Sequence, residues 1–216
     1  MTPRIKTAGA GLMKLVAPSQ YRDRREAGRT LAEWLTEYRG RDNVLVLALP
    51  RGGVPVGEEV AVRLGIPLDV LSVRKLGVPG HQELAFGAIA TGGVRVLNRE
   101  VVFSMGGEAE EIIEMATARE LAELRRREAL YRGHHEPLDV RGKTVLLVDD
   151  GLATGATMRA AVKALRQMEA GQVVVAVPVG PPDTCSVLEH EADRVVCPLR
   201  PYGFMSVGQY LSLIHI

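Results

Sequence analysis

The stretch Val145-Leu-Leu-Val-Asp-Asp-Gly-Leu-Ala-Thr-Gly-Ala-Thr157 decides the fold. Its four leading apolar residues predict a strand that is buried on both faces, as in a parallel sheet. Asp149 and Asp150 follow at the carboxyl end of that strand, where ligands of open α/β sheets bind. The backbone N–H groups and hydroxyls from Thr154 onward then open a helix and form an anion site. Carboxylates that can bind hydroxyl groups thus stand next to a loop that can bind phosphate, a combination that suits a sugar phosphate.

A second strand-to-helix turn has a similar design, Leu49-Pro-Arg-Gly-Gly-Val-Pro-Val-Gly57. Arg51 offers a donor fork that suits phosphate oxygens. Gly52 and Gly53 let the backbone approach an anion closely, beside the start of the next helix. A plain helix-entry turn is the alternative interpretation of this segment. The turn lacks the lysine of a Walker A loop, and no Gly-x-Gly-x-x-Gly follows the first strand, so a dinucleotide site is unsupported.

Strands and helices alternate along most of the chain. We predict strands at 44–49, 67–73, 85–90, 94–97, 145–149, 172–177 and 194–197. We predict helices from Asp23 to Gly40 and at 55–64, 108–132, 155–168 and 183–189. Asp23 and Glu26 form a capping box for the first of these helices. The alternation predicts an α/β fold with a mostly parallel sheet flanked by helices.

The bulk properties narrow the class of protein. A length of 216 residues suits one domain, 1–216, with a loose arm at 1–20 and a long charged helix at about 108–132. The sequence ends in a mostly apolar segment, 210–216, that no terminating polar residues follow. We therefore expect a truncation or a non-native tail at 212–216. We give it no functional weight. The net charge of +1 and the absence of a long apolar run argue against nucleic acid and membrane partners.

Two cysteines, Cys185 and Cys197, lack metal-ligand spacing and are expected to be ordinary buried thiols. Such thiols fit a reducing environment, so we expect a cytoplasmic protein.

The Val145–Thr157 stretch resembles the phosphoribosyl pyrophosphate (PRPP) motif of the type I phosphoribosyltransferases. The resemblance implies that Asp149 and Asp150 contact the ribose hydroxyls. It assigns the 5-phosphate to the loop formed by Ala153, Thr154, Gly155, Ala156 and Thr157, and the pyrophosphate to the loop formed by Arg51, Gly52 and Gly53. In this family the pyrophosphate loop often contains an unusual cis peptide, which would suit the Arg51–Gly52 or the Gly52–Gly53 step. A buried strand whose Asp-rich turn caps the next helix is the alternative.

The same resemblance implies roles for residues outside these two turns. Polar residues from Arg74 to Glu83 predict a loop, and a mobile loop at this place closes over the site in the family. Arg74 and Lys75 are therefore expected to be catalytic residues that meet the pyrophosphate, while His81 or Glu83 would lie near the acceptor. A solvated loop is the alternative. Two segments outside the core pattern, Tyr21–Gly28 and Arg200–Gly208, resemble a subgroup of predicted phosphoribosyltransferases whose acceptor is unassigned. Tyr202 and Phe204 in the second segment would stack on an acceptor ring or pack onto the sheet.

The implied activity is the transfer of ribose 5-phosphate from PRPP to a nitrogenous base or small amine, with release of pyrophosphate. Mg²⁺ would be held by Asp149 and Asp150, directly or through water. We expect a small hood beside the sheet and a homodimer. A PRPP-sensing regulator without turnover and a PRPP-forming diphosphotransferase are the competing hypotheses. No short motif identifies the acceptor.

Overall fold

The computed structural model describes residues 15–78, 81–132 and 139–211, without the side chains of 78, 81–84, 108 and 132. Most of the predicted N-terminal arm and the whole 212–216 tail lie outside these ranges. Within them, no helix is long and apolar enough to cross a membrane.

The strands in chain order are β1 Val44–Ala48, β2 Leu68–Val70, β3 Val73–Val78, β4 His81–Ala90, β5 Val94–Leu97, β6 Thr144–Val148, β7 Gln172–Ala176 and β8 Arg194–Val196. The α-helices are α1 Arg24–Glu33, α2 Gly53–Leu64, α3 Arg99–Ser104, α4 Ala109–Arg132, α5 Ala156–Gln167 and α6 Pro182–Glu189.

The main sheet is parallel throughout and has the order β2-β1-β6-β7-β8. Every residue of β1 and β6 is buried, which their uninterrupted apolar sequences require. The predicted α/β fold with a mostly parallel sheet is therefore confirmed.

Helices cover both faces of this sheet because alternate strand residues point to opposite sides. Val44 and Val46 of β1 pack with α1 and α2 in one core. Leu45 and Leu47 point the other way and pack with α5 and α6 in a second core. The buried positions of α5 are those that the helical spacing predicts: Met158, Ala161, Val162 and Leu165.

A second sheet, β3-β4-β5, is antiparallel and lies beside the main one. Its apolar side packs against α4 through a third core that includes Leu76, Phe86 and Leu124. We call β3, β4, β5 and α4 the hood. The prediction of a loop from Arg74 to Glu83 is wrong, because strands occupy most of that segment. Leu76 is fully buried and pairs with Gly87, and this long-range pairing overrides the loop-like local composition.

Two further predictions differ from the structure. The predicted strand at 67–73 is divided between β2 of the main sheet and β3 of the hood. The first helix begins as predicted, with the Asp23 carboxylate accepting from the Glu26 amide at 2.7 Å. It ends at Glu33 and not at Gly40, and a separate 3₁₀ turn, Thr36–Tyr38, follows.

Candidate functional site

The two turns that are predicted to bind anions meet at one edge of the main sheet. β1 and β6 are neighbours with Ala48 opposite Val148, so the residues after each strand leave the sheet side by side. The Leu49 amide donates to the Val148 carbonyl at 2.8 Å and extends this pairing by one residue. The Pro50–Arg51 turn therefore lies against the acidic pair.

Gly52 and Gly53 are the points of contact between these turns. A Cβ atom added to Gly52 would lie 2.1 Å from Asp150 Oδ2, and one added to Gly53 would lie 2.7 Å from the Val148 carbonyl oxygen. Backbone atoms leave no room for a side chain at Gly53, whereas a side chain at Gly52 would have to displace the Asp150 carboxylate. The turn contains a cis peptide at Pro50–Arg51. It lies one bond before the Arg-Gly step, the earlier of the two steps for which the family resemblance led us to expect it.

Asp149, like Asp150, is half-buried. Its Oδ1 accepts a hydrogen bond from the Asp150 amide at 2.8 Å. Burial, and then the charge of Asp150, raise the pKa of the Asp149 carboxyl from 3.8 to about 8. A bound cation would oppose both effects, because it favours the ionised carboxylate.

Asp150 has a cationic partner from a distant part of the chain. Nε and Nη2 of Arg24, at the start of α1, each lie 2.8 Å from Asp150 Oδ2. The side chains are only 26% and 16% exposed, so water screens this ion pair less than a surface pair. Sequence reasoning missed Arg24 as a site residue. Its signal was a basic segment after Tyr21, which no motif connected with the acidic pair.

The predicted phosphate loop is open to solvent at the start of α5. Ala153, Thr154 and Thr157 are exposed, while Gly155 is buried. Gly155 has a φ of +72°, and a Cβ atom there would lie 2.7 Å from Thr184 Cγ2. The first backbone N–H groups of a helix lack intrahelical partners. At the start of α5 the Ala156 amide donates to Thr154 Oγ1 at 3.4 Å, and the amides of the next residues are available to an anion.

Arg51 lies at the exposed side of its turn. In the described part of the chain, no ion pair engages its guanidinium, and it is free to contact a bound ligand.

Arg74 and Lys75 lie apart from the acidic pair, on β3 of the hood. Arg74 Nη2 is 2.6 Å from Glu120 Oε2 of α4, and Glu120 is the one buried charged residue in the described part of the chain. Lys75 is exposed and lines an open cavity of about 710 Å³ between the hood and α5, where Ala156 is also found. The side chains of His81 and Glu83 lie outside the described residues.

The C-terminal segment packs on the acidic turn. A Cβ atom on Gly151 would lie 2.9 Å from both methyl carbons of Val207. Phe204 is stacked on Tyr210 with ring centroids 5.6 Å apart, whereas Tyr202 is 93% exposed. Tyr202 is thus the member of the predicted aromatic pair that is available to a ligand.

The described residues contain no group of three or more His, Cys, Asp or Glu side chains that could hold a metal ion. Mg²⁺ is commonly bound through one or two carboxylates together with substrate phosphates. The adjacent carboxylates of Asp149 and Asp150, next to the Gly52 turn, fit that type of site. Cys185 and Cys197 are both buried free thiols, as the sequence predicts.

The family model and the curated relative that matches most of the chain name the same class of protein. A family model described as the phosphoribosyl transferase domain matches residues 19–206. A Mycobacterium tuberculosis H37Rv protein named as a phosphoribosyl transferase is 48% identical over 187 residues, which are 87% of this chain and 42% of that protein. The chain thus spans less than half the length of this curated relative.

Two other proteins are similar to this chain, one over most of its length and one over less than half of it. The crystal structure of TT1426 from Thermus thermophilus matches with a TM-score of 0.81 and 42% identity, covering 91% of this chain and 92% of that one. A ribose-phosphate pyrophosphokinase of Methanopyrus kandleri is 37% identical over 84 residues, 39% of this chain and 26% of that protein.

Proposed function

This chain belongs to the phosphoribosyl transferase domain family, and we propose that it is an enzyme that transfers ribose 5-phosphate from PRPP to a nitrogenous base or small amine. The observation that carries this proposal is the contact of Gly52 with Asp150, because it joins a candidate pyrophosphate loop to a candidate ribose site. PRPP needs both of these sites and a third for its 5-phosphate, at the start of α5.

Each part of the donor has a matching group on the protein. Asp149 and Asp150 accept hydrogen bonds from the ribose hydroxyls. The amides and hydroxyls of Ala153, Thr154, Gly155, Ala156 and Thr157 receive the 5-phosphate. Arg51 and the amides of Gly52 and Gly53 receive the pyrophosphate. Arg51→Ala should therefore weaken PRPP binding more than ribose 5-phosphate binding.

The chemistry is a displacement at the anomeric carbon. The bond from this carbon to pyrophosphate breaks, and a bond to the acceptor nitrogen forms, with loss of the proton from that nitrogen. Positive charge develops on the sugar ring as the bond breaks, and the carboxylates of Asp149 and Asp150 favour it. Arg51 and the glycine amides stabilise the negative charge that grows on the leaving group.

Asp149 and Asp150 would hold Mg²⁺, directly or through water, and the ion would neutralise charge on the leaving group. Lys75 is a further candidate for contact with the pyrophosphate. It lies at the cavity that borders α5. The hairpin of β3 and β4 would have to move to bring Lys75 nearer to the pyrophosphate. The role of Arg74 in the same contact stays a prediction.

A PRPP-binding regulator without turnover is the alternative function. It would use the same donor groups, so PRPP binding alone does not distinguish it from the enzyme. A homodimer and a cytoplasmic location, which the sequence led us to expect, also stay predictions.

Release of pyrophosphate from PRPP tests the proposed activity. The protein is incubated with PRPP and Mg²⁺ and a panel of purine, pyrimidine and amine acceptors, with an acceptor-free reaction as the control. We expect release above that control with at least one acceptor, and expect Arg51→Ala to reduce it. Measurable PRPP binding with no release for any acceptor would instead favour the regulator.

A further inference from the structure

Helix α1 is held against α2 by a close backbone contact. A Cβ atom on Gly28 would lie 2.6 Å from the Val56 carbonyl oxygen and 2.8 Å from Glu59 Cβ. Only a glycine lets the two helices approach to this distance. Because α2 begins at the Gly52 turn, the position of α1 is fixed relative to the candidate pyrophosphate loop.

Ion pairs on the outer side of the same helix pair add to this contact. Arg25 Nη1 lies 3.0 Å from Glu58 Oε2, and Arg29 Nη1 lies 3.3 Å from Glu59 Oε1. These arginines bind α2 and do not reach the acidic turn.

Arg24 differs from these neighbours in the direction of its side chain. It lies one helical turn before Gly28, and residues four apart share one face of a helix. This face brings its guanidinium to Asp150, where Nε and Nη2 both bind the same carboxylate oxygen. That oxygen is also the atom that would lie nearest to a Cβ atom added to Gly52. Arg24, Asp150 and Gly52 therefore converge where ribose and pyrophosphate would adjoin.

We propose that Arg24 is a positioning residue of the donor site, which fixes the Asp150 carboxylate in the orientation that receives the ribose hydroxyls. This inference rests on the proposed function. Two donors on one oxygen restrict the rotation of the Asp150 carboxylate. A carboxylate that is already oriented loses less conformational freedom when the ligand binds.

The positioning role of Arg24 predicts how its loss changes the affinity for two ligands. Arg24 acts through a ribose-binding group, so its loss should weaken PRPP and ribose 5-phosphate by the same factor. A residue that contacts the pyrophosphate directly would weaken PRPP alone. Arg51→Ala provides the comparison, since we expect it to affect mainly PRPP.

Calorimetric titration of both ligands in the presence of Mg²⁺ tests the inference. Arg24→Ala should raise both dissociation constants about 10- to 100-fold, the range for loss of hydrogen bonds to a charged group. Arg24→Lys, which keeps the charge without the planar fork, should show a smaller loss. Arg25→Ala is the matched control, because it removes ion pairs from the same helix but leaves Asp150 untouched, and its affinities should equal those of the wild type.

A double variant separates positioning from a general effect on the fold. In an Asp150→Asn background, the further change Arg24→Ala should cost little additional affinity, since the group on which Arg24 acts is already altered. Unchanged affinities in Arg24→Ala, or a loss for PRPP alone, overturn the role of Arg24 but leave the proposed function standing. If the wild type itself does not bind PRPP, the proposed function fails first. Should Arg24→Ala not fold, Arg24→Lys decides the same question.

Discussion

Gly52 and Asp150 occupy adjoining space, and their contact limits which residues the two positions accept. The 2.1 Å separation between a Gly52 Cβ atom and Asp150 Oδ2 is far below any real contact. A side chain at position 52 would therefore displace the carboxylate and separate it from Arg24.

We expect Gly52→Ala to fold but to bind PRPP at least about 10-fold more weakly, as one lost charge-assisted contact allows. Gly107→Ala is the matched control, since a Cβ atom there would meet nothing within 4 Å. Calorimetry on both variants checks this expectation. Equal PRPP affinity in Gly52→Ala and the wild type would contradict the proposed contact between the two loops.

Asp149 links the site to stability and pH. A carboxyl whose pKa is raised in the folded state keeps its proton there but loses it on unfolding. Its contribution to stability is present below pH 3.8 and is lost as the pH rises toward about 8. The ligand-free protein should therefore become less stable over this interval because of Asp149.

Asp149→Asn should remove this pH-dependent loss, because the amide stays neutral. Without PRPP or Mg²⁺, we expect its Tm to exceed that of the wild type at pH 8 by several degrees, at about 2–4 °C per kcal/mol for a domain of this size. The difference should shrink at pH 5. Thermal unfolding monitored by circular dichroism measures both, and a Tm difference that does not change with pH would argue against a raised pKa.

Some of these residues were within reach of sequence reasoning and others were not. Asp149, Asp150 and Gly52 belong to short segments in which a strand end, a loop and a helix start follow one another, so local chemistry identifies them. Arg24 is separated from Asp150 by 126 residues, and the pair depends on how α1 packs on α2. The cis peptide at Pro50–Arg51 was expected in the right turn but at a later bond.

The elements show the same division between local and long-range causes. β1, β6 and α5 were predicted closely because apolar runs and helical spacing are local patterns. The hairpin of β3 and β4 in the hood was not predicted, because Gly77 and the polar residues around it favour a loop. It forms because β4 pairs with both β3 and β5 and the resulting sheet packs on α4.

Strand β3 presents two neighbouring cations in different environments. Arg74 binds Glu120 of α4, and Lys75 lines the cavity beside α5. This alternation is the normal consequence of strand geometry. Arg74 thereby stabilises the hood, and Lys75 is available to a ligand.

We expect Arg74→Ala and Glu120→Ala to lower the free energy of unfolding by about 1–3 kcal/mol. Arg74→Ala leaves the buried Glu120 carboxylate with only the exposed Arg119 as its ionic partner, and Glu120→Ala removes the carboxylate that Arg74 binds. Lys75→Ala should leave it unchanged. Pyrophosphate affinity should fall in Lys75→Ala and Arg74→Ala but not in Glu120→Ala. Urea denaturation and pyrophosphate titration of the three variants test this, and unaltered pyrophosphate affinity in both cation variants would refute their predicted catalytic role.

At the scale of the whole molecule, the parallel sheet gathers the site from distant segments. Arg24, the Gly52 turn, the acidic pair and the predicted phosphate loop all lie near the ends of β1 and β6, as expected for ligand sites in open α/β sheets. The hood and the C-terminal segment lie beside this edge. Their loops differ from the core in having no short motif, which is why the donor is indicated by the sequence and the acceptor is not.

The central claim is that the acidic pair and the Gly52 turn form one PRPP site. Calorimetric titration of PRPP with Mg²⁺ into the wild type and into Asp150→Asn tests it most directly, with circular dichroism to establish that both are folded. We predict measurable binding to the wild type and the loss of most of it in Asp150→Asn. Equal PRPP affinity in the two folded proteins would contradict the claim.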